Sequence, residues 1–225
     1  MELDRIYNED CLEGMKRIPD GVIDAIITDP PYCVGASSNG IKSTYCDYSL
    51  IKPFFQRLFS EFARVTKSGA AVFVHTDWRT YPYLYSLFAG EFAMRNLIVW
   101  DYEYIKCGNF YRYSYELLMY GTKGKSERQF DARSRDVWRL PCYRVSGREH
   151  PSQKPVQLIE KMLLENTNEG ELVLDAFMGS GTTAVAAINT DRHYVGFELH
   201  EPYCEICERR IGEARMKRAE QLVFE

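Results

Sequence analysis

The sequence predicts an α/β fold built on a doubly wound, mostly parallel sheet. Short apolar strands alternate with helical stretches along the chain, and such alternation pairs strands in parallel with helices on both faces. The strands are apolar almost without interruption, as expected where both faces of a sheet are covered. The 225 residues carry no internal repeat or low-complexity tract, and suffice for one large domain of this class or two small ones.

Residues 3–8 read as a short strand and 11–17 as a short helix, followed by a Pro19-Asp20-Gly21 turn. The next strand, 22–28, runs into Thr28-Asp29-Pro30-Pro31-Tyr32. Residues 33–49 are rich in Gly, Ser, Asn and Thr, a loop of the kind that orders on a substrate. Residues 50–65 place Ile51, Phe54, Phe55, Leu58, Phe59 and Phe62 at helical spacing, and Lys67-Ser68-Gly69 ends that helix. A buried strand at 70–74 leads into His75-Thr76-Asp77-Trp78, and a helix at 81–90 follows. Strands at 93–100 and 114–120 are joined by a Tyr-rich segment containing Cys107-Gly108-Asn109. Residues 122–149 are basic and weakly patterned. An amphipathic helix spans 154–166, with Pro155 in its first turn. A strand at 172–177, a helix at 182–189, a strand at 194–198 and a charged helix at 202–221 complete the chain.

Hydrophobic content of 45% and charged content of 27% are those of a soluble globular protein. No apolar run is long enough to span a membrane, and the first residues lack the pattern of a signal peptide, so a cytoplasmic protein with no membrane partner is expected. The seven cysteines are odd in number and irregularly spaced, which reads as free thiols in a reducing compartment. Cys204 and Cys207 form the one C-x-x-C, in a helical stretch without a second ligand pair, so no metal is expected. The net charge of −4 hides an asymmetry: residues 104–148 hold ten basic and four acidic side chains, leaving −10 for the remainder. A local basic stripe of this kind suits phosphates.

Two prolines in succession at 30 and 31 fix two φ angles, remove two backbone donors and push the preceding residues away from helix. Asp29 adds a carboxylate, Pro30 a carbonyl and Tyr32 a flat ring. Two acceptors and a stacking surface suit a planar group that bears an NH2. A second candidate site, Asp175-Ala176-Phe177-Met178-Gly179-Ser180-Gly181-Thr182-Thr183, lies between a strand and a helix. Its glycines let backbone N–H groups approach a ligand at a helix N-terminus. A phosphate loop would need a Lys that is absent, whereas a dinucleotide fingerprint fits with Ala184 at its third glycine position. A single nucleoside carrying a carboxylate also fits, because Glu198, 17 residues past Gly181, closes the next strand where it can accept from both ribose hydroxyls. The third stretch, His150-Pro151-Ser152-Gln153-Lys154-Pro155, reads alone as a loop and helix start.

In this order the three stretches resemble the S-adenosylmethionine-dependent DNA amino-methyltransferases whose catalytic motif precedes the cofactor motif. The resemblance runs from about residue 5 to residue 210. It implies one Rossmann-like domain over 1–225, with a seven-stranded, mostly parallel sheet, permuted so that strands from both ends of the chain meet at its centre. It implies that Asp29 and the Pro30 carbonyl accept hydrogen bonds from the target amine, within the Asp29-Pro30-Pro31-Tyr32 motif, and that Tyr32 stacks on a flipped base. Phe177, Gly179 and Gly181 would line S-adenosylmethionine, with Asp175 beside them. Thr182, Thr183 and Lys154 would hold its methionine carboxylate, Glu198 its ribose, and Asp10 would lie near its adenine. Double-stranded DNA is the implied partner.

Two departures stand out. Ala176 replaces the proline usual in the family. Only the 28 residues 122–149 are available where many relatives carry a long target-recognition region, so specificity must come from that short segment, from the 33–49 loop, or from a second subunit in a homodimer. Asp at the first motif position leans to N6 of adenine over N4 of cytosine. An RNA or protein-amide methyltransferase, which would place the cofactor motif first, and a catalytically idle DNA-binding relative are further readings.

Overall fold

The apolar runs fold as strands and the periodic stretches as helices in the computed structural model, which describes residues 1–31, 37–38, 41–42, 48–105, 110–126, 134–141 and 153–224. The first half comprises β1 (Arg5–Tyr7), α1 (Cys11–Met15), β2 (Ile23–Thr28), a short antiparallel pair β3 (Ser37–Ser38) and β4 (Ile41–Lys42), α2 (Tyr48–Val65), β5 (Thr66–Thr76) and α3 (Tyr81–Glu91). The second half comprises β6 (Ala93–Asp101), β7 (Tyr115–Thr122), β8 (Val137–Arg139), α4 (Val156–Asn166), β9 (Leu172–Asp175), α5 (Thr182–Asn189), β10 (His193–Phe197) and α6 (Glu201–Phe224).

Among the described residues, eight strands form one sheet in the order β1-β10-β9-β2-β5-β7-β6-β8. Only β7 runs against its neighbours β5 and β6; the other pairings are parallel. Alternate residues of the central strands serve opposite faces. Val72, Val74 and Leu174 pack with Phe55, Phe59, Phe62 and Phe88 of α2 and α3 and with Met15 of α1. Ala71, Phe73 and Val173 pack with Leu158, Ile159 and Met162 of α4, Ala184 and Ala187 of α5, and Cys207 and Ile211 of α6. The doubly wound expectation is thus met, with α1 to α3 on one face and α4 to α6 on the other. No helix among the described residues is long and apolar enough to cross a membrane.

Two local expectations need correction. The sheet has eight strands rather than seven, because Val137–Arg139 adds a parallel edge strand to β6. That strand lies inside the basic stretch, where charged neighbours hide the pattern. Its centre is pinned by buried Trp138, whose indole N–H donates to the Arg135 carbonyl at 2.7 Å. Lys67-Ser68-Gly69 is not the stop after α2: β5 begins at Thr66, directly after the helix. Gly69 sits at φ +80° and absorbs a register shift, so that Ile23 pairs Thr66 while Ala25 pairs Ala71. The Gly69 irregularity lies far from the carboxyl end of the sheet, where the candidate residues gather, whereas β8 pairs with Val99, Trp100 and Asp101, the last residues of β6, at that end.

Candidate active site

β9 and β2 are adjacent parallel strands, with Ala25 opposite Val173 and Ile26 opposite Leu174. Residues 147 apart therefore end side by side: the Thr28 hydroxyl donates to Asp175 Oδ1 at 2.8 Å. This junction joins the two halves of the permuted chain, and ligands of open α/β sheets bind outside the carboxyl ends of strands at such a switch point. Glu198 follows β10, Asp10 follows β1, His75 is the penultimate residue of β5 and Glu116 the second residue of the reversed strand β7. The fold thus brings all of these to one end.

Asp175 organises the glycine turn. Its Oδ1 accepts from Thr28 and from the Phe177 N–H at 3.0 Å, and its Oδ2 accepts from the Thr183 hydroxyl at 2.6 Å. Burial pushes its carboxyl up to about 6, against the lowering effect of those three donors. Gly179 and Gly181 both lie at positive φ, 53° and 80°, a conformation that glycine adopts without a Cβ penalty. A Cβ at Gly181 would stand 2.5 Å from the Cys207 sulfur of α6. Arg210 of the same helix donates to Ser180 Oγ at 2.9 Å and also to the Ser180 carbonyl. Phe177 is half-buried and meets the Phe54 ring edge-on. Glu198 faces the turn, its two carboxylate oxygens taking the Gly179 and His200 N–H groups at 2.8 Å each.

The remaining expected cofactor residues sit as follows. Asp10 caps α1, its Oδ1 accepting from the Leu12 and Glu13 N–H groups at 2.9 and 3.1 Å. The Thr182 and Thr183 side chains are buried; the Thr182 hydroxyl donates to the Lys154 carbonyl at 3.4 Å. The Lys154 ammonium itself reaches the Asp29-Pro30-Pro31 stretch, 2.9 Å from Asp29 Oδ2 and 2.6 Å from Glu116 Oε2. Asp29 is partly buried, Pro30 buried and Pro31 exposed. Asp29 Oδ1 is buried without a hydrogen-bond partner. Tyr32 and residues 150–152 lie outside the described residues.

Glu116, His75 and Thr28 belong to this cluster but were not among the expected site residues. One signal is available: Glu116 is the lone charge in an otherwise uncharged, mostly buried strand, where a carboxylate needs a partner. Cys204 and Cys207 lie on α6 without a metal-binding group among the described residues, and burial raises both thiols.

A doubly wound sheet with an Asp-Pro-Pro stretch at one central strand and a glycine turn at its neighbour is a Rossmann-like arrangement with its crevice between the two. A family model described as DNA methylase, of the N6/N4 methyltransferases, matches residues 23–209, and the chain belongs to that family. It is 27% identical to the DNA adenine methyltransferase YhdJ of Escherichia coli (strain K12), over 98% of this chain and 87% of that protein. The structure of an M1.HpyAVI–SAM complex is similar at a TM-score of 0.72 and 23% identity, over 92% of this chain and 98% of that one. The cytosine-N4-specific PvuII DNA methyltransferase is similar at 0.76 and 15%, over 95% and 91%. At these identities the two structures establish the fold.

Proposed function

We propose that the protein transfers the methyl group of S-adenosylmethionine to the N6 amino group of adenine in double-stranded DNA. The observation that carries this reading is the Asp29 carboxylate at the β2–β9 junction. One of its oxygens is held by Lys154, and the other is buried without a partner. An unpaired buried acceptor costs about 1–3 kcal/mol, so the site suits an incoming N–H donor.

The glycine turn fits the cofactor. Gly181 has no room for a side chain, and the Glu198 carboxylate beside Gly179 is suited to ribose hydroxyls. Phe177, Gly179, Gly181, Thr182, Thr183 and Glu198 would hold it, with Asp175 rigidifying the turn and Asp10 on the adenine side. The bound cofactor supplies a methyl group already activated by its positive sulfur. The chain positions the amine and stabilises charge. On transfer to the amine nitrogen the donor would leave as a neutral thioether that keeps the carbon–sulfur electron pair. The nitrogen gains positive charge and then loses a proton to solvent. Asp29 Oδ1, with the Pro30 carbonyl, accepts the amine hydrogens and strengthens that interaction as charge develops. The stiff Pro30-Pro31 backbone keeps these acceptors in place, and Tyr32 stacks on the base, which must leave the duplex.

Phe110 and Tyr111 are almost fully exposed, at 97% and 95%, and precede exposed Arg112 in the β6–β7 connection. Arg79 stacks on Trp78 and Tyr113 at 5.6 Å, at the same end of the sheet. Aromatics with interleaved cations support a nucleic-acid surface. Residues 1–225 form a single methyltransferase domain in this reading, with 122–149 contributing to target choice.

Tritiated methyl transfer to DNA, followed by separation of the nucleosides, tests the proposal. The expected product is N6-methyladenine, and Asp29→Ala should lower the rate at least about 100-fold through loss of the acceptor. N4-methylcytosine would replace the adenine reading, and an active Asp29→Ala would remove the mechanism.

A further inference from the structure

Two carboxylates share one ammonium beside the catalytic stretch, and they are not equivalent. Asp29 offers only Oδ2 to Lys154 and keeps Oδ1 free of hydrogen bonds, while Glu116 holds the same ammonium at the shorter distance, 2.6 Å against 2.9 Å. The ammonium is placed further by the Trp100 ring, 5.9 Å away. Behind Glu116 stands His75, 1% exposed, with Nδ1 3.7 Å from Glu116 Oε2 and its ring edge-on to Trp100. The Glu116 and Lys154 side chains are themselves 13% and 10% exposed, so water screens the arrangement poorly.

We propose that Glu116, walled in by His75 and Trp100, is a positioning residue for methyl transfer: it draws the Lys154 ammonium to the Oδ2 side of Asp29 and leaves Oδ1 for the target amine. The inference rests on the reading of Asp29 given above. A lysine has three donors on a flexible stem. With Asp29 as its only carboxylate it would straddle both oxygens and compete with the amine. It would also spend on a permanent cation the negative charge that the developing positive nitrogen needs. Glu116 offsets that cation. The pair holds Asp29 by one edge without neutralising it.

The test is single-turnover methyl transfer at saturating DNA and S-adenosylmethionine, with cofactor affinity measured by calorimetry. Glu116→Gln keeps the shape and removes the charge. It should lower the transfer rate about 10- to 100-fold, the scale of one charge-assisted contact to a reacting group. Cofactor affinity should stay within about twofold, since no part of the glycine turn is touched. Because the effect runs through Lys154, adding Glu116→Gln to Lys154→Met should cost less than about twofold more, the non-additivity expected of groups acting as a unit. A Glu116→Gln enzyme at the wild-type rate would overturn the inference. So would an equal loss with and without Lys154, which would mean a general structural role. If Glu116→Gln does not fold, Glu116→Asp in both Lys154 backgrounds gives the same coupling. Asp29→Asn separates the two levels. If it is active, the reading of the site fails; if it is inactive while Glu116→Gln is unimpaired, only the role of Glu116 fails.

Discussion

At the scale of the residue, Asp175 shows how one buried carboxylate can knit a site and weaken the fold together. It ties β2, the glycine turn and α5 through Thr28, Phe177 and Thr183, yet burial raises its pKa from 3.8 to about 6. The sign follows from linkage. Below about pH 4 the group is protonated folded and unfolded, and costs nothing. Between about 4 and 6 the unfolded chain gives up the proton that the folded one keeps, so stability falls as pH rises. Above about 6 the loss is constant. Asp175→Asn, which keeps an acceptor toward Thr28 and Phe177, should abolish that decline. Urea melts of both proteins between pH 4 and 7 check it, and parallel stability profiles would contradict it.

At the scale of the element, the glycine turn depends on helix α6, which approaches it from the far end of the chain. Cys207 packs where a Gly181 side chain would go, and Arg210 holds Ser180. Gly181→Ala should destabilise the protein by about 2–4 kcal/mol, combining a strained positive φ with overpacking. Adding Cys207→Gly removes the nearest clash and should recover the packing share but not the backbone share. Urea denaturation of the single and double variants measures the difference; full recovery would assign the whole cost to packing, and none would assign it to φ. α5 begins at Thr182, as expected from its sequence, and starts without a side-chain cap because its left-handed N-cap, Gly181, has no side chain.

At the scale of the whole molecule, a chain of net charge −4 must meet a polyanion through a local surface. Arg112, Arg135 and Arg139 are exposed, on the β6–β7 connection and around the edge strand β8. Neutralising Arg112 or Arg135 to Gln should weaken DNA binding and reduce the slope of log affinity against log salt by about 1 for each phosphate no longer neutralised. Fluorescence anisotropy over a salt series reads both quantities, and an unchanged slope would move the DNA surface elsewhere on the molecule.

The sequence by itself determined most element types, the doubly wound class, the Asp29-Pro30-Pro31 stretch and the glycine turn after Asp175 that meet at the β2–β9 junction. Periodicity, proline and glycine chemistry are local, and short windows carry them. It did not reveal the eighth strand, whose three residues sit among charged neighbours and are ordered by Trp138 and the edge of β6. Nor did it reveal that Lys154 meets Asp29 and Glu116, because Glu116 and Lys154 are 38 residues apart and separated by β8. Only the tertiary structure decided that contact. It reverses β7, so that the strand's first residues, rather than its last, lie at the carboxyl end of the sheet, and buried charges there must find partners from whatever elements the strand order brings together.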